Sequence, residues 1–227
     1  MDDSAESTIR QNKIMHTLGI RSTACLLASL GLALGSATAQ ADRAEDLLID
    51  EVYAEGGTTL YCDTPFSPGD RIRIDRIYPD RQLQQQFGCN SNRAFQDEPD
   101  FIAARDDLHQ MFPIERQSDI DRRATLFGEL RSGAPTSQRC DYRLGFQTFE
   151  PGDNAKGTVA RAMMYMHVQH DLPLVGAWEM LQRWNESFPP DDAERARNAR
   201  IGELTGRRNP FIDDPASMQN VPAPALF

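Results

Sequence analysis

The run Ile72-Arg73-Ile74-Asp75-Arg76-Ile77-Tyr78-Pro79 decides how this chain reads, together with Asp107-Leu108-His109-Gln110-Met111-Phe112-Pro113 and Asp119-Ile120-Asp121-Arg122-Arg123. In the first run, apolar Ile72, Ile74 and Tyr78 alternate with Arg73 and Arg76, and Pro79 closes it, the pattern of a short strand. The second run reads as a proline-delimited turn. The polar, arginine-rich stretch from Asp119 to Gly128 reads as a short helix. A strand, a long connection and a helix can set Asp75 and Asp119 side by side. Two converging carboxylates suit a hard divalent cation such as Mg2+, which takes oxygen ligands and keeps several waters. Acids are abundant here, however, and charged residues sit readily in solvent, so composition alone favours two solvated surface carboxylates.

Outward from this centre, Leu47, Leu48 and Val52 with flanking acids suit a short amphipathic helix over Ala44–Val52, broken by Gly56-Gly57. Thr58–Cys62 reads as a strand, and Pro65, Pro68 and Gly69 turn the chain into the central strand. Leu83, Phe87 and Cys89 can anchor a short helix. Cys140–Leu144 and Gln147–Phe149 form a hairpin turning at Gly145. Lys156–His170 is the clearest helix, with Val159, Ala160, Met163, Met164 and His167 at helical spacing and Pro173 as its stop. Its methionine stripe reads as core packing, and His167 and His170 as surface or helix-end residues. Helices follow over Leu174–Asn185 and from Asp191 to Leu204, where Gly206 ends the second. The proline-rich tail from residue 215 reads as disordered.

The N-terminus reads as a targeting segment. An apolar run from Ser22 to Leu34 follows Arg21, and Ala37-Thr38-Ala39 and Ala39-Gln40-Ala41 both have the shape of a cleavage site. The polar leader before it suggests translation from Met15. Residues 1–41 are therefore assigned to a signal peptide, 42–214 to a single domain and 215–227 to a tail. The apolar run is too short for a comfortable membrane span, and no stable membrane insertion is expected once it is removed. The formal net charge of −10 is unchanged by removing residues 1–41. That argues mildly against a nucleic-acid binder, whose footprint is usually basic, although Arg, the dominant cation here, suits bidentate phosphate contacts. Cys62, Cys89 and Cys140 remain after cleavage, an odd number whose spacing fits no structural zinc site. An oxidising compartment permits one disulfide, with Cys89–Cys140 as the working pair. Neither a Gly-x-Ser-x-Gly nor a His-Glu-x-x-His motif occurs.

The three opening runs resemble the core of the bacterial endonuclease I family, secreted or periplasmic nucleases with a ββα-metal (His-Me finger) site. The resemblance continues through Lys156-Gly157-Thr158-Val159-Ala160-Arg161 and onward to Met166, then Trp184-Asn185, Arg197-Asn198 and Gly206–Asp213, in family order. It covers roughly Ala44 to Asp214. It implies an α+β fold, mainly helical around a small β-sheet with a ββα-metal core. It also implies an endonuclease hydrolysing phosphodiester bonds in DNA, with RNA as the other substrate.

In that frame Asp75 and Asp119 would hold Mg2+ or another divalent cation. Arg122 would contact phosphate, as would Arg161, for which an internal salt bridge is the alternative. The family's general-base His falls at Arg76. Guanidinium has no acceptor lone pair and stays protonated, so it cannot take a proton from water. A working enzyme would need a substitute, which could be His109, a hydroxide held by the cation, or bulk water, although His109 also reads as a structural, hydrogen-bonded residue. The alternative is an endonuclease I-like protein, impaired in catalysis, that binds metal, nucleic acid or a protein partner.

Overall fold

The computed structural model describes residues 43–88, 98–123, 125–137 and 139–224; the expected signal peptide, the Met15 start and Cys89 lie outside them. The fold is α+β. Residues 43–52 open it as a helix whose second half, Leu48–Val52, widens into a π-helical turn. Strand β1 (Gly57–Thr58) pairs antiparallel with β2 (Pro65–Phe66). The longer strand expected over Thr58–Cys62 does not form. Instead the Asp63 N–H donates to the Thr59 carbonyl at 3.1 Å, with Asp63 at φ 49°, and the chain turns. The turn sends Tyr61 into the core, fully buried.

Strand β3 (Arg73–Arg76) is followed by helix α1 (Asp80–Gln86), α2 (Pro99–Arg105) and a 3-10 turn at Leu108–Gln110. Next comes β4 (Met111–Ile114), antiparallel to β3 with Asp75 opposite Phe112 and Arg76 opposite Met111. The proline-delimited turn read there is thus a strand. Its four residues are all buried, so it shows an unbroken apolar run in place of alternation. Pro113 is tolerated because a two-stranded ribbon leaves β4 an edge where no donor is required. Helix α3 (Arg116–Arg122) begins three residues earlier than read, which places Asp119 in its first turn.

The helix read to Gly128 stops at Arg122, and Leu126–Phe127 forms strand β5 instead, parallel to β7 (Thr148–Glu150), which pairs antiparallel with β6 (Arg143–Gly145) in the expected hairpin. The chain ends in helices α4 (Asp153–Gln169), α5 (Trp178–Ser187), α6 (Asp192–Thr205) and α7 (Pro210–Asp213). Each α6 terminus has a chemical cause. Asp191 accepts from the Glu194 N–H at the start, and Gly206 adopts the left-handed conformation at the end. Residues 215–220, read as disordered, form a 3-10 segment: Met218 is fully buried and its carbonyl accepts from Gln182 at 2.8 Å. The methionine stripe of α4 is core, as expected, with Met163, Met164 and Met166 at 0 % exposure. The disulfide joins Cys62 to Cys140, with Cα atoms 4.6 Å apart, and corrects the Cys89–Cys140 pairing.

Arg161 is also placed here, inside the core. Its Nε and Nη2 donate to the Glu194 carboxylate of α6 at 2.8 and 2.6 Å, and Nη1 reaches the Asn185 side chain and the Phe188 carbonyl. The phosphate-contact reading gives way to the internal salt bridge, because the guanidinium is 1 % exposed and its donors are used. Gly157, one turn earlier, is required by the same packing: a Cβ there would lie 2.0 Å from the Phe188 carbonyl oxygen. Breaking one side of a buried pair strands the other charge, at a cost of about 3–5 kcal/mol. Glu194→Ala is therefore expected to lower the urea midpoint at unchanged m-value by that order; a loss under about 1 kcal/mol would mean that Arg161 is not held through Glu194.

Candidate active site

Strand β3, the start of α1, helix α3 and the β5–β7 edge enclose an open cleft of about 680 Å³. Asp75 reaches it from the strand and Asp119 from the first turn of α3, so the two residues line one cleft. Asp75 accepts from the Tyr61 hydroxyl at 2.5 Å through Oδ2, and Arg122 Nε lies 3.4 Å from the same oxygen. Burial pushes the Asp75 carboxyl up, against the pull of the Arg122 charge and the Tyr61 hydrogen bond. Burial, followed by the Asp75 charge, holds the Tyr61 phenol well above its ordinary value, so it remains a proton donor to the carboxylate.

Arg122 lines the cleft, yet it is a framework residue. It is 5 % exposed, donates from Nη1 to the Thr125 carbonyl at 2.6 Å and from Nη2 to the Ile77 carbonyl at 3.4 Å, and lies 3.9 Å over the Phe127 ring. Its Nε contact with Asp75 is an ion pair without hydrogen-bond alignment. Arg76 is committed elsewhere too: Nη1 to Glu45 at 3.1 Å, Nε to the Arg105 carbonyl at 3.1 Å and Nη2 to Asp106 at 3.7 Å.

His109 does not line the cleft. It is 2 % exposed, packs with its ring 4.6 Å from the Tyr165 ring at a tilt of 58° and sets Nε2 3.0 Å from the Arg207 carbonyl, while Nδ1 is buried without a partner among the described residues. His170 joins the same buried group through Asp107, at 2.9 Å, instead of standing at the surface.

Two cleft arginines escaped the sequence reading. Arg81 and Arg123 are solvent-exposed on the cleft wall. A strand closed by proline and followed at once by a helix puts the first helical residues, Asp80 and Arg81, beside the strand end, which was the available signal for Arg81. For Arg123 it was the four-residue spacing from Asp119, which it contacts at 3.1 Å. The cleft lining includes Arg76, Arg81, Arg122 and Arg123 against Asp75, Asp80 and Asp119; Arg76 is paired with Glu45 and Asp106 and Arg122 with Asp75, which leaves Arg81 and Arg123 as its exposed cations.

The donor set fits a hard cation. Asp75 and Asp119 both offer carboxylate oxygens to the cleft, the Arg123 contact to Asp119 falls on one oxygen alone, and the cleft is open enough for the ion's waters. The grouping of Cys62, Glu115 and Cys140 does not fit, because two of its sulfurs form a disulfide and offer no thiolate.

Residues 50–216 match the family model described as Endonuclease I. The chain belongs to the endonuclease I family. It is similar to an extracellular deoxyribonuclease of Aeromonas hydrophila, 30 % identical over 224 residues that cover 82 % of this chain and 96 % of the relative. A periplasmic deoxyribonuclease of the same organism is 27 % identical, covering 63 % of each chain. An extracellular ribonuclease of Bacillus subtilis is 37 % identical over 48 % of this chain and 44 % of its own. As an endonuclease I family member the chain is a hydrolase of nucleic-acid phosphodiester bonds.

The buried network beside the family motif Asp107-Leu108-His109 gives a pH signature. Burial holds His109 below its ordinary value of 6.5. A base whose folded pKa is depressed takes up its proton more readily in the unfolded chain, so stability falls as pH drops below that ordinary value. Urea unfolding at about pH 7 and about pH 5 should show this fall, and His109→Asn should make it shallower. An equally steep fall in the variant would assign the effect to other groups.

Proposed function

We propose that this endonuclease I family member is an exported, divalent-cation-dependent nuclease acting on DNA, with Asp75 and Asp119 as the cation's protein ligands. The carrying observation is that these two acids, one from a strand and one from a helix, line one cleft whose wall also exposes Arg81 and Arg123. Export is supported by the A-x-A sites after the apolar run and by the extracellular and periplasmic names of relatives. Among the described residues no helix is long and apolar enough to cross a membrane. DNA is favoured over RNA because the relatives that cover more of this chain are deoxyribonucleases.

A bound Mg2+ would supply positive charge to the phosphate and its leaving oxygen. Tyr61 and Arg122 fix the Asp75 carboxylate from behind, and Arg81 and Arg123 offer exposed charge to neighbouring phosphates. Arg76 takes no proton, and His109 stands off the cleft, so the proton of the attacking water passes to solvent. A missing general base costs about 10²–10⁴ in rate, and the enzyme is read as slow. The second reading, a nucleic-acid or metal binder without catalysis, is favoured by one observation: Arg76 is tied to Glu45, Asp106 and the Arg105 carbonyl.

Plasmid nicking by the protein without its leader, with Mg2+ and with chelator, separates the two. Cleavage should need the cation and vanish in Asp119→Ala, and calorimetry should find that variant's Mg2+ affinity reduced. If only Arg76→His cuts, assayed up to alkaline pH, the binding reading replaces the enzymatic one. Cleavage that persists in chelator would refute cation dependence.

The arginine assignment has its own check. Arg81→Ala and Arg123→Ala should each flatten the dependence of log affinity on log salt by about one unit, measured with duplex DNA in chelator. An unchanged slope would remove that residue from the interface.

A further inference from the structure

The hairpin beside the cleft presents an aromatic ring to solvent. Phe146 is 92 % exposed and packs against no other ring among the described residues. It occupies the two-residue turn between β6 and β7, next to Gln147, which lines the cleft. That turn is not built from the residues its backbone prefers. Gln147 sits at φ 56°, a conformation that favours glycine or asparagine, and Phe146 beside it is a large apolar side chain in a position that polar residues usually fill.

The turn is also fastened to the site. The Leu126 N–H donates to the Gln147 carbonyl at 3.0 Å, and the residue before Leu126, Thr125, accepts from Arg122. Leu126 itself lines the cleft and is 39 % exposed, so apolar surface continues from the cleft wall toward the turn. An exposed ring on this turn, at the edge of a cleft whose wall exposes Arg81 and Arg123, has the chemistry of a base-stacking platform. Every nucleobase has a π-face, so such a platform works without sequence preference. A base within a duplex already stacks on its neighbours and must be unstacked to reach the ring, whereas a single strand offers its bases directly.

We propose that Phe146 stacks on a nucleobase flanking the phosphate held in the cleft, and that this contact directs the protein toward single-stranded or locally unstacked nucleic acid. The proposal rests on the nuclease reading above and names the substrate class of that same site.

The test uses the protein without its leader, in chelator so that nothing is cut, with a short single-stranded oligodeoxynucleotide and its abasic counterpart of equal charge. Wild type should bind the base-bearing strand more tightly than the abasic one. Phe146→Ala should lose about five- to a hundred-fold in affinity for the base-bearing strand only. Phe146→Trp should retain binding, and its emission should be quenched by the base-bearing strand alone. Because the ring is exposed, Phe146→Ala is expected to fold, which circular dichroism and the urea midpoint check.

If Phe146→Ala binds both strands as wild type does, or Phe146→Trp emission does not change, stacking is overturned. Plasmid cleavage by wild type would then leave the nuclease reading standing. If wild type binds neither strand and cuts no plasmid, the nuclease reading fails and the stacking proposal falls with it.

Discussion

One buried guanidinium joins helix α3 to strand β3 and to the β5 segment. Arg122 closes helix α3, donates to carbonyls at Ile77 and Thr125, covers the Phe127 ring and faces the Asp75 carboxylate of β3. These contacts fix the rotation of the helix about its own axis. Asp119 lies three residues before Arg122, and residues three apart share a helix face. Locking Arg122 toward Asp75 therefore turns Asp119 into the same cleft. Burying a charge costs several kcal/mol unless it is paired and hydrogen-bonded. Here the pairing partner is the carboxylate that the site presents. Burial nonetheless pushes the Asp75 carboxyl up, so Arg122 and Tyr61 compensate its negative charge only in part. A carboxylate in that condition gains from a further positive charge at the cleft.

The same use of arginine recurs through the fold. Arg161 ties α4 to the start of α6 through Glu194 and Asn185. Arg197 donates to the carbonyls of Leu108 and Met111 at 2.5 and 2.6 Å and lies 4.0 Å over Phe112, fastening α6 to β4. Five N–H donors in a planar fork can satisfy several carbonyls while the flat face packs on a ring, which an ammonium cannot do. In this chain buried arginines build the frame, while Arg81 and Arg123 on the cleft wall stay exposed.

That division explains where the sequence was legible. The α4 helix and its methionine core stood out through 3.6-residue periodicity, its Gly157–Arg161 block through the family resemblance, and they reappear with little change. Asp75 and Asp119 were found through motif order and do share a cleft, but the helix that carries Asp119 starts earlier than its polar run suggested. Strand β4 was hidden because a fully buried strand does not alternate, and β5 was read as the end of the preceding helix because two residues leave no pattern of their own. Arg161 and Arg122 read as phosphate contacts because sequence does not distinguish a guanidinium facing a buried carboxylate from one facing solvent. The Cys62–Cys140 disulfide depends on the turn at Asp63, a tertiary outcome beyond any spacing rule.

Position 76 shows why a single altered residue must be judged with its surroundings. Asp75 and Arg76 are consecutive on a strand, so their side chains leave opposite faces. Asp75 goes to Tyr61 and Arg122, while Arg76 goes to Glu45, Asp106 and the Arg105 carbonyl. Two carboxylates and a carbonyl form a receptor for a cation, and arginine fills it. A histidine placed there would feel the same carboxylates, which favour its protonated form and raise its pKa. Its neutral, proton-accepting form would become abundant only toward alkaline pH. The neighbourhood is thus matched to a permanent positive charge, and restoring a base at neutral pH calls for removing Glu45 or Asp106 as well as changing Arg76.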